Sequence, residues 1–348
     1  MKKLLSVLLV ALLVAGLMTS ALAGTADGKK IALVGKSAGN AFFEIAAAAF
    51  VEAGEGEGAT VDVVYPEAAT ADAQIKVLDN LISQQPDAIC ISANDFNALQ
   101  AKLEEAMDAG IKVSSFDSAP NPASRQVFVN QAGTVAVGQA LIDAVYDLAG
   151  GEGQWAILSA TSQASNQNAW IAAMEEIAKD EKYAKLELVP IAYGDDEPQK
   201  STDQTQALLD NYPDLKVICA PTTVGIMAAA KLVQDTEGCN VKITGLGLPS
   251  EMLEYTGEGK SCPYFYLWDM QLLGKLSAYA TIALINGDIT GAEGETFTVP
   301  EDSYFCMGDN RVGSVDSRRH EVGCPTFDSI RGKVILRLYP FSKIKVFK

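Results

Sequence analysis

KIALVGKSAGNAFFEIAAAAFVEA, residues Lys30 to Ala53, decides the fold. Its first part is an apolar, β-rich run without alternation. Its last part is an Ala- and Phe-rich stretch with helical spacing. A strand with no alternation is buried on both faces, and a helix directly after it is the crossover that a parallel sheet requires. The unit recurs along the chain. VDVVYP, AICISAN and IKVSSFD are further apolar runs, and AQIKVLDNLISQQ and ALQAKLEEAMDAG are helical stretches beside them. The pattern then restarts with VFVNQ, QWAILSA, LELVPIAYG, KVICAP and VKITGLGLP. That is too many parallel strands for one modest sheet, and the Pro-rich SAPNPASR (118–125) crosses between the two sets. An α/β architecture of two doubly wound parallel-sheet lobes is therefore predicted. YFYLWD and QLLGKLSAYATIALING are expected to return to the first lobe. The predicted boundaries are 24–118 with 252–290 for the first lobe, 119–251 for the second, and 299–348 for a separate β-rich tail.

Ahead of this body, Lys2 and Lys3 precede the apolar run Leu4 to Met18, and Ala21-Leu22-Ala23 forms an A-x-A cleavage site. The run is shorter than the roughly 20 residues of a membrane span. Residues 1–23 are read as a secretory signal peptide. Thr25 stands where a lipoprotein needs its Cys, so the expected product is exported, periplasmic or extracellular, and soluble.

The 348 residues carry a formal charge of −17, unevenly spread. Beyond residue 298 nine Lys/Arg face six Asp/Glu, whereas the rest holds 18 against 38. An acidic body excludes nucleic acid as a partner, because phosphate binding needs a basic face. Six cysteines are present. Cys90 and Cys219 lie in apolar strands and read as small hydrophobes; Cys239 and Cys262 are candidates for pairing, and Cys306 and Cys324 belong to the tail. With no C-x-x-C and a single histidine, His320, no zinc site is expected.

In open parallel sheets ligands bind outside the carboxyl ends of the strands. The residues found there are Lys36, Asn94-Asp95, Asp117, Asn130-Gln131, the SNQN run at 165–168, Asp195-Asp196, Pro221-Thr222-Thr223 and Trp268-Asp269. Amides and carboxylates with one lysine supply donors and acceptors for hydroxyl groups. Phe42, Phe43, Phe116, Trp170 and Trp268 offer apolar faces for the C–H side of a sugar ring. Each has a plainer reading. Asp95 and Asp196 precede helical stretches and suit helix caps, and Phe43 suits the core.

Gly35-Lys36-Ser37-Ala38-Gly39 matches G-x-S-x-G between strand and helix, the context of a hydrolase nucleophile. The only histidine lies in the tail, so the serine lacks a base, and the glycines are read instead as room for a ligand. Gly245-Leu246-Gly247 lacks the third glycine of a dinucleotide site, and no phosphate loop is present. The body is not expected to be an enzyme, and no cofactor or metal is expected.

From about Lys30 to Thr298 the chain resembles the periplasmic sugar-binding proteins of ABC importers, within the rhamnose- and autoinducer-2-binding branch. TADAQIKVLDNLI, AICISANDFNAL, GIKVSSFDS, NQNAWI, YGDDEPQKSTDQTQALL, APTTVGIMAAA, TGLGLPSEM and LWDMQLLGKLSAYA carry the resemblance. It implies the type I periplasmic binding protein fold, with Lys36, Asp117, Asn166-Gln167, Pro221 and Thr223 holding the ligand; Phe42, Trp268 and Asp269 join the candidate set as strand-end or apolar-face residues. Asn166 and Thr223 resemble the rhamnose type, whereas autoinducer-2 receptors carry Asp and Ala there. Hinge closure around a monosaccharide and docking of a monomeric receptor on a membrane permease follow from the resemblance.

VPEDSYFCMGDNRVGSVDSR with IRGKVILRLYPFSKI resembles the C-terminal region of type I signal peptidases, through Gly308, Asp309, Asn310, Arg311, Ser314, Asp316, Ser317 and Arg318. In those enzymes this block supports a Ser/Lys dyad carried on earlier segments. No such segments are found here, so peptidase activity is expected to be absent. The junction near residue 298 is open to three readings: a gene-level fusion or assembly artefact, a natural fusion with GKVILRLYPF as a surrogate edge strand, or processing activity through a partner chain.

Overall fold

The computed structural model describes residues 24–290, together with 296–297, 336–337 and 345–346. The chain divides into two compact units at Phe297/Thr298. The larger unit holds two parallel sheets.

In chain order the first sheet takes β1 (Lys30–Val34), β2 (Thr60–Val64), β3 (Ala88–Ile91), β4 (Lys112–Phe116), β5 (Val127–Val129) and β11 (Thr296–Phe297), arranged 11-5-4-3-1-2. Its intervening helices are α1 (Ala41–Gly56), α2 (Ala71–Gln84) and α3 (Gln100–Asp108). The second sheet takes β6 (Gly153–Ser159), β7 (Leu186–Leu188), β9 (Leu215–Ala220) and β10 (Lys242–Gly245) in the order 10-9-6-7. β8 (Ala192–Tyr193) continues the pairing further along β6. Its helices are α4 (Thr134–Ala149), α5 (Ser165–Ile177), α6 (Pro198–Asn211), α7 (Thr223–Asp235) and the short α8 (Pro249–Met252). Finally α9 (Met270–Ile285) packs back on the first sheet. The smaller unit contributes an antiparallel pair, β12 (Leu336–Arg337) with β13 (Lys345–Val346).

Local chemistry explains the elements. β3 is buried at every residue, as an unalternating AICI run requires. α1 starts at Asn40, whose side chain accepts from the Phe42 N–H, the usual satisfaction of an orphan helix donor. Its face of Phe42, Phe43, Ala46 and Phe50 is buried. α9 lies so close to α1 that a Cβ at Gly274 would stand 2.1 Å from the Ala46 carbonyl oxygen. Only glycine permits that approach. Cys90 and Cys219 are buried, and burial pushes their thiols up to about 11 and about 12. Cys239 and Cys262 stand as free thiols rather than a pair.

Four sequence expectations are corrected. VFVNQ does not open the second set: β5 pairs with β4, Ser114 opposite Val127. The Pro-rich segment makes only a one-turn helix at Pro122–Ser124, then Arg125 tucks in and donates to the Pro120 carbonyl. The crossing to the second sheet comes after β5, not at 118/119. The return crossing is also later than residue 252. Met252 and Cys262 sit in the core of the second sheet, and Tyr266 exchanges backbone hydrogen bonds with Gly245 and Gly247, so YFY stays with that lobe. LELVPIAYG is two strands, because Pro190 has no N–H to continue the ladder.

Candidate functional site

The ends of β1, β4, β8 and β9 converge on one cavity between the two sheets, with the first turns of α5 and α7. Lys36 follows β1 and is buried. Its backbone is fixed by a buried amide relay: Asn94 donates to the Lys36 carbonyl at 3.0 Å, and Gln74 donates to the carbonyls of Gly35 and Ser92 while accepting from the Asn94 N–H. The ammonium reaches across to the opposite lobe and donates to Asn166 Oδ1 at 2.9 Å.

Asp117 follows β4 with φ +57, a left-handed conformation that a short polar side chain tolerates. Ser92 donates to one carboxylate oxygen at 2.8 Å, and Gln131 and Asn166 donate to the other at 3.1 and 3.3 Å. On the second lobe Gln167 accepts from the Ser159 hydroxyl and the Ala160 N–H, which orients its amide toward β6. Asp196 follows β8, and the Thr222 hydroxyl donates to its Oδ1. Thr223 donates to Asn40 at 3.4 Å, a second contact between the lobes.

These charges share one site, with Lys36 and Asp117 buried and Asp196 half-buried. Burial pulls the Lys36 ammonium below its ordinary range, countered by Asp117 and Asp196. Burial raises Asp117, countered by Lys36 and by the hydrogen bonds from Ser92, Gln131 and Asn166. Burial raises Asp196 as well; Thr222 and Lys36 counter it, while Asp117 and Asp195 add to it.

The apolar wall is aromatic. Phe42 meets Phe43 and Trp268 edge-on, with ring centroids 5.1 and 6.1 Å apart, and Trp170 lies 5.6 Å from Trp268. The Trp268 Nε1–H is buried without a hydrogen-bond partner among the described residues. The cavity has room for about 40 Å³ of water, a few molecules at roughly 10–15 Å³ each. Seating a larger polar molecule requires the lobes to part and the Lys36–Asn166 contact to be exchanged for contacts with that molecule.

Of the residues singled out in sequence, Lys36, Phe42, Asp117, Asn166, Gln167, Pro221, Thr223 and Trp268 all line this cavity. Asp269 does not: it caps α9, accepting from the Leu272 N–H, and is exposed. Asp95 likewise accepts from the N–H groups of Asn97 and Ala98. Asp196 departs from its expected role, since the N-cap position of α6 falls at Glu197, which makes no side-chain cap bond, and Asp196 lines the cavity. Phe43, read as core, lines the cavity too. Gly35 makes room for the Tyr65 ring rather than for a ligand: a Cβ at that position would stand 2.5 Å from the ring. Among the described residues no group of three or more His, Cys, Asp or Glu is placed to hold a metal ion. No described helix is long and apolar enough to cross a membrane. Residues 1–23 and the peptidase-like block, Gly308 to Arg318, lie outside the described residues.

The family model for the periplasmic binding protein domain matches residues 31–289. That for signal peptidase, peptidase S26, matches residues 269–339. The two ranges share α9, whose buried face belongs to the first lobe. A solved ABC transporter solute-binding protein from Clostridium phytofermentas, with bound L-rhamnose, is 52% identical; the match covers 77% of this chain and 84% of that one at TM-score 0.75. LsrB from Clostridium saccharobutylicum, in complex with AI-2, shares the fold at 24% identity and TM-score 0.71, covering 84% of this chain and 90% of that one. Signal peptidase IB of Staphylococcus aureus is 33% identical over 105 residues, 29% of this chain, and the chain spans about half of that enzyme's length, 53%.

Proposed function

We propose, because the chain belongs to the periplasmic binding protein domain family, that its body is the exported receptor of an ABC importer and that its ligand is a monosaccharide of the rhamnose type. The observation that carries the ligand class is the pairing of Lys36 and Asp117 through the Asn166 amide at the interlobe cavity. An amide both accepts from the ammonium and donates to the carboxylate, and sugar hydroxyls, donors and acceptors at once, replace it on either side. The 52% identity to a rhamnose-bound receptor supports the same class.

The mechanism uses the hinge. A sugar enters between the lobes, Lys36 and Asp117 take its hydroxyls from one side, and Asn166 with the Pro221–Thr223 turn takes them from the other. The aromatic wall covers its C–H face. A micromolar ligand contributes about 8 kcal/mol, enough to bias an opening equilibrium of a few kcal/mol toward the closed form that docks, as a monomer, on a membrane permease. Autoinducer-2 is the second reading. The specific observation against it is Asn166, because the Asp of those receptors would add a third carboxylate beside Asp117.

No reaction is proposed. The tail resembles part of a signal peptidase without the dyad segments, and a nucleophile without a positioned base is inert. Calorimetric titration of L-rhamnose and autoinducer-2 into residues 24–348 tests the receptor reading. Heat from rhamnose at micromolar concentrations supports it; heat from autoinducer-2 alone replaces it with the second reading. Cleavage of a fluorogenic signal-peptide substrate would overturn the non-enzymatic one.

A further inference from the structure

Among the described residues lining the cavity, Lys36 is the one cation and Asp117 and Asp196 are the two carboxylates. Asp195 is committed elsewhere: it pairs with Lys200 and does not line the cavity. Asp195 and Asp196 form a two-residue left-handed turn, with φ +53 and +54. Such angles are uncommon outside glycine and mark positions worth a functional account. Here the turn aims Asp196 at the cavity instead of at the first turn of α6. The Thr222 hydroxyl holds Oδ1, and no described protein group donates to Oδ2.

Two helix ends add to this asymmetry. α5 and α7 both begin at the cavity, and helix N-termini draw anions. Thr222 is the N-cap residue of α7, so Asp196, held by the Thr222 hydroxyl, stands beside that helix end. Asp117 is buried and Asp196 half-buried, so the repulsion between a second anion and these carboxylates is less screened than in bulk water.

We propose that Asp196 is a specificity-determining carboxylate: its Oδ2 accepts a ligand hydroxyl from the second lobe while Asp117 serves the first, and the surplus negative charge excludes phosphosugars and sugar acids. The proposal rests on the sugar-receptor reading above and adds to it the charge class of the ligand.

The test is calorimetric titration of full-length mature chain, residues 24–348, with L-rhamnose, with L-mannose as a neutral ligand larger by one hydroxyl, and with L-rhamnose 1-phosphate. The wild type is expected to bind the phosphate at least about 100-fold more weakly than rhamnose. Asp196→Asn is expected to weaken rhamnose about tenfold, through loss of a charge-assisted acceptor, and to narrow the gap to the phosphate by about tenfold or more. Asp195→Asn, which leaves both cavity-lining carboxylates in place, is expected to move the affinities and the gap far less than Asp196→Asn. Thr222→Val removes the anchor but leaves the charge, and is expected to weaken rhamnose while preserving the exclusion, which covers the case of an Asp196→Asn protein that does not fold. A gap unchanged in Asp196→Asn makes the exclusion steric and overturns the proposal, as does equal binding of sugar and phosphosugar by the wild type. Absence of binding by any neutral sugar overturns the receptor reading itself, a result distinct from a gap that fails to move.

Discussion

Lys36 and Asn166 meet across the cleft, ammonium to amide carbonyl at 2.9 Å, and the same amide donates to Asp117 at 3.3 Å. The two lobes are thus joined through groups that a polyol would also need. Asn166→Asp keeps the acceptor for Lys36 and removes the donor to Asp117, placing two carboxylates against each other. L-rhamnose affinity is expected to fall about tenfold or more, since buried like charges repel and the ligand inherits the conflict. Titration calorimetry on the variant checks it, and unchanged affinity would remove Asn166 from the ligand set.

Much of this site was legible because strand ends are legible. Lys36 and Asp117 follow unalternating apolar runs, where an open parallel sheet places its ligand. Asp196 was not, because in sequence a carboxylate before a helix reads as a cap. What separates it from Asp95 and Asp269 is a backbone angle, φ +54, that no local pattern encodes. Gln74 carried a fainter signal: it shares the buried stripe of α2 with Leu78 and Leu81, so a polar residue stood at a core position of a helix. The sheet assignment of β5 failed for another reason. Its three buried residues fit either sheet, and only the pairing with β4 selects one.

The close contact of α9 on α1 makes Gly274 a stability site remote from the ligand. A methyl group there meets the Ala46 carbonyl oxygen at 2.1 Å, and backbone cannot swing aside as a flexible side chain does. Gly274→Ala is expected to destabilise by about 1–3 kcal/mol despite its better helix propensity. Urea denaturation measures the loss. A variant as stable as the wild type would mean that the helices separate at little cost.

Asp196 also makes stability depend on pH. Burial raises its folded-state pKa above the ordinary 3.8, so the folded chain favours the protonated acid. That contribution is complete below 3.8 and is lost as pH rises through the folded value. Lys36 is lowered from 10.5 by its own burial, and Asp196 is one of the two charges that counter this. Asp196→Asn, neutral at every pH, is therefore expected to melt a few degrees higher than the wild type at pH 7, with the difference shrinking toward pH 4. Melting curves across pH 4–8 decide it; a difference independent of pH would show that the gain has another source.

Trp268 offers the last separation of fold from function. Its ring lies between Phe42 of the first lobe and Trp170 of the second, and its Nε1–H is buried with no partner among the described residues. An orphaned donor costs on the order of 1–3 kcal/mol, while the indole contributes through its contacts with both rings. Trp268→Phe removes the donor and most of neither contact, so the two effects oppose each other and stability is expected to change by less than about 1 kcal/mol. Affinity is expected to respond differently. If the N–H donates to a ligand oxygen in the closed form, the variant loses about tenfold in rhamnose binding with its melting temperature nearly unmoved. A parallel loss of stability and affinity would instead make Trp268 a packing residue, and its N–H a cost that the fold carries without use.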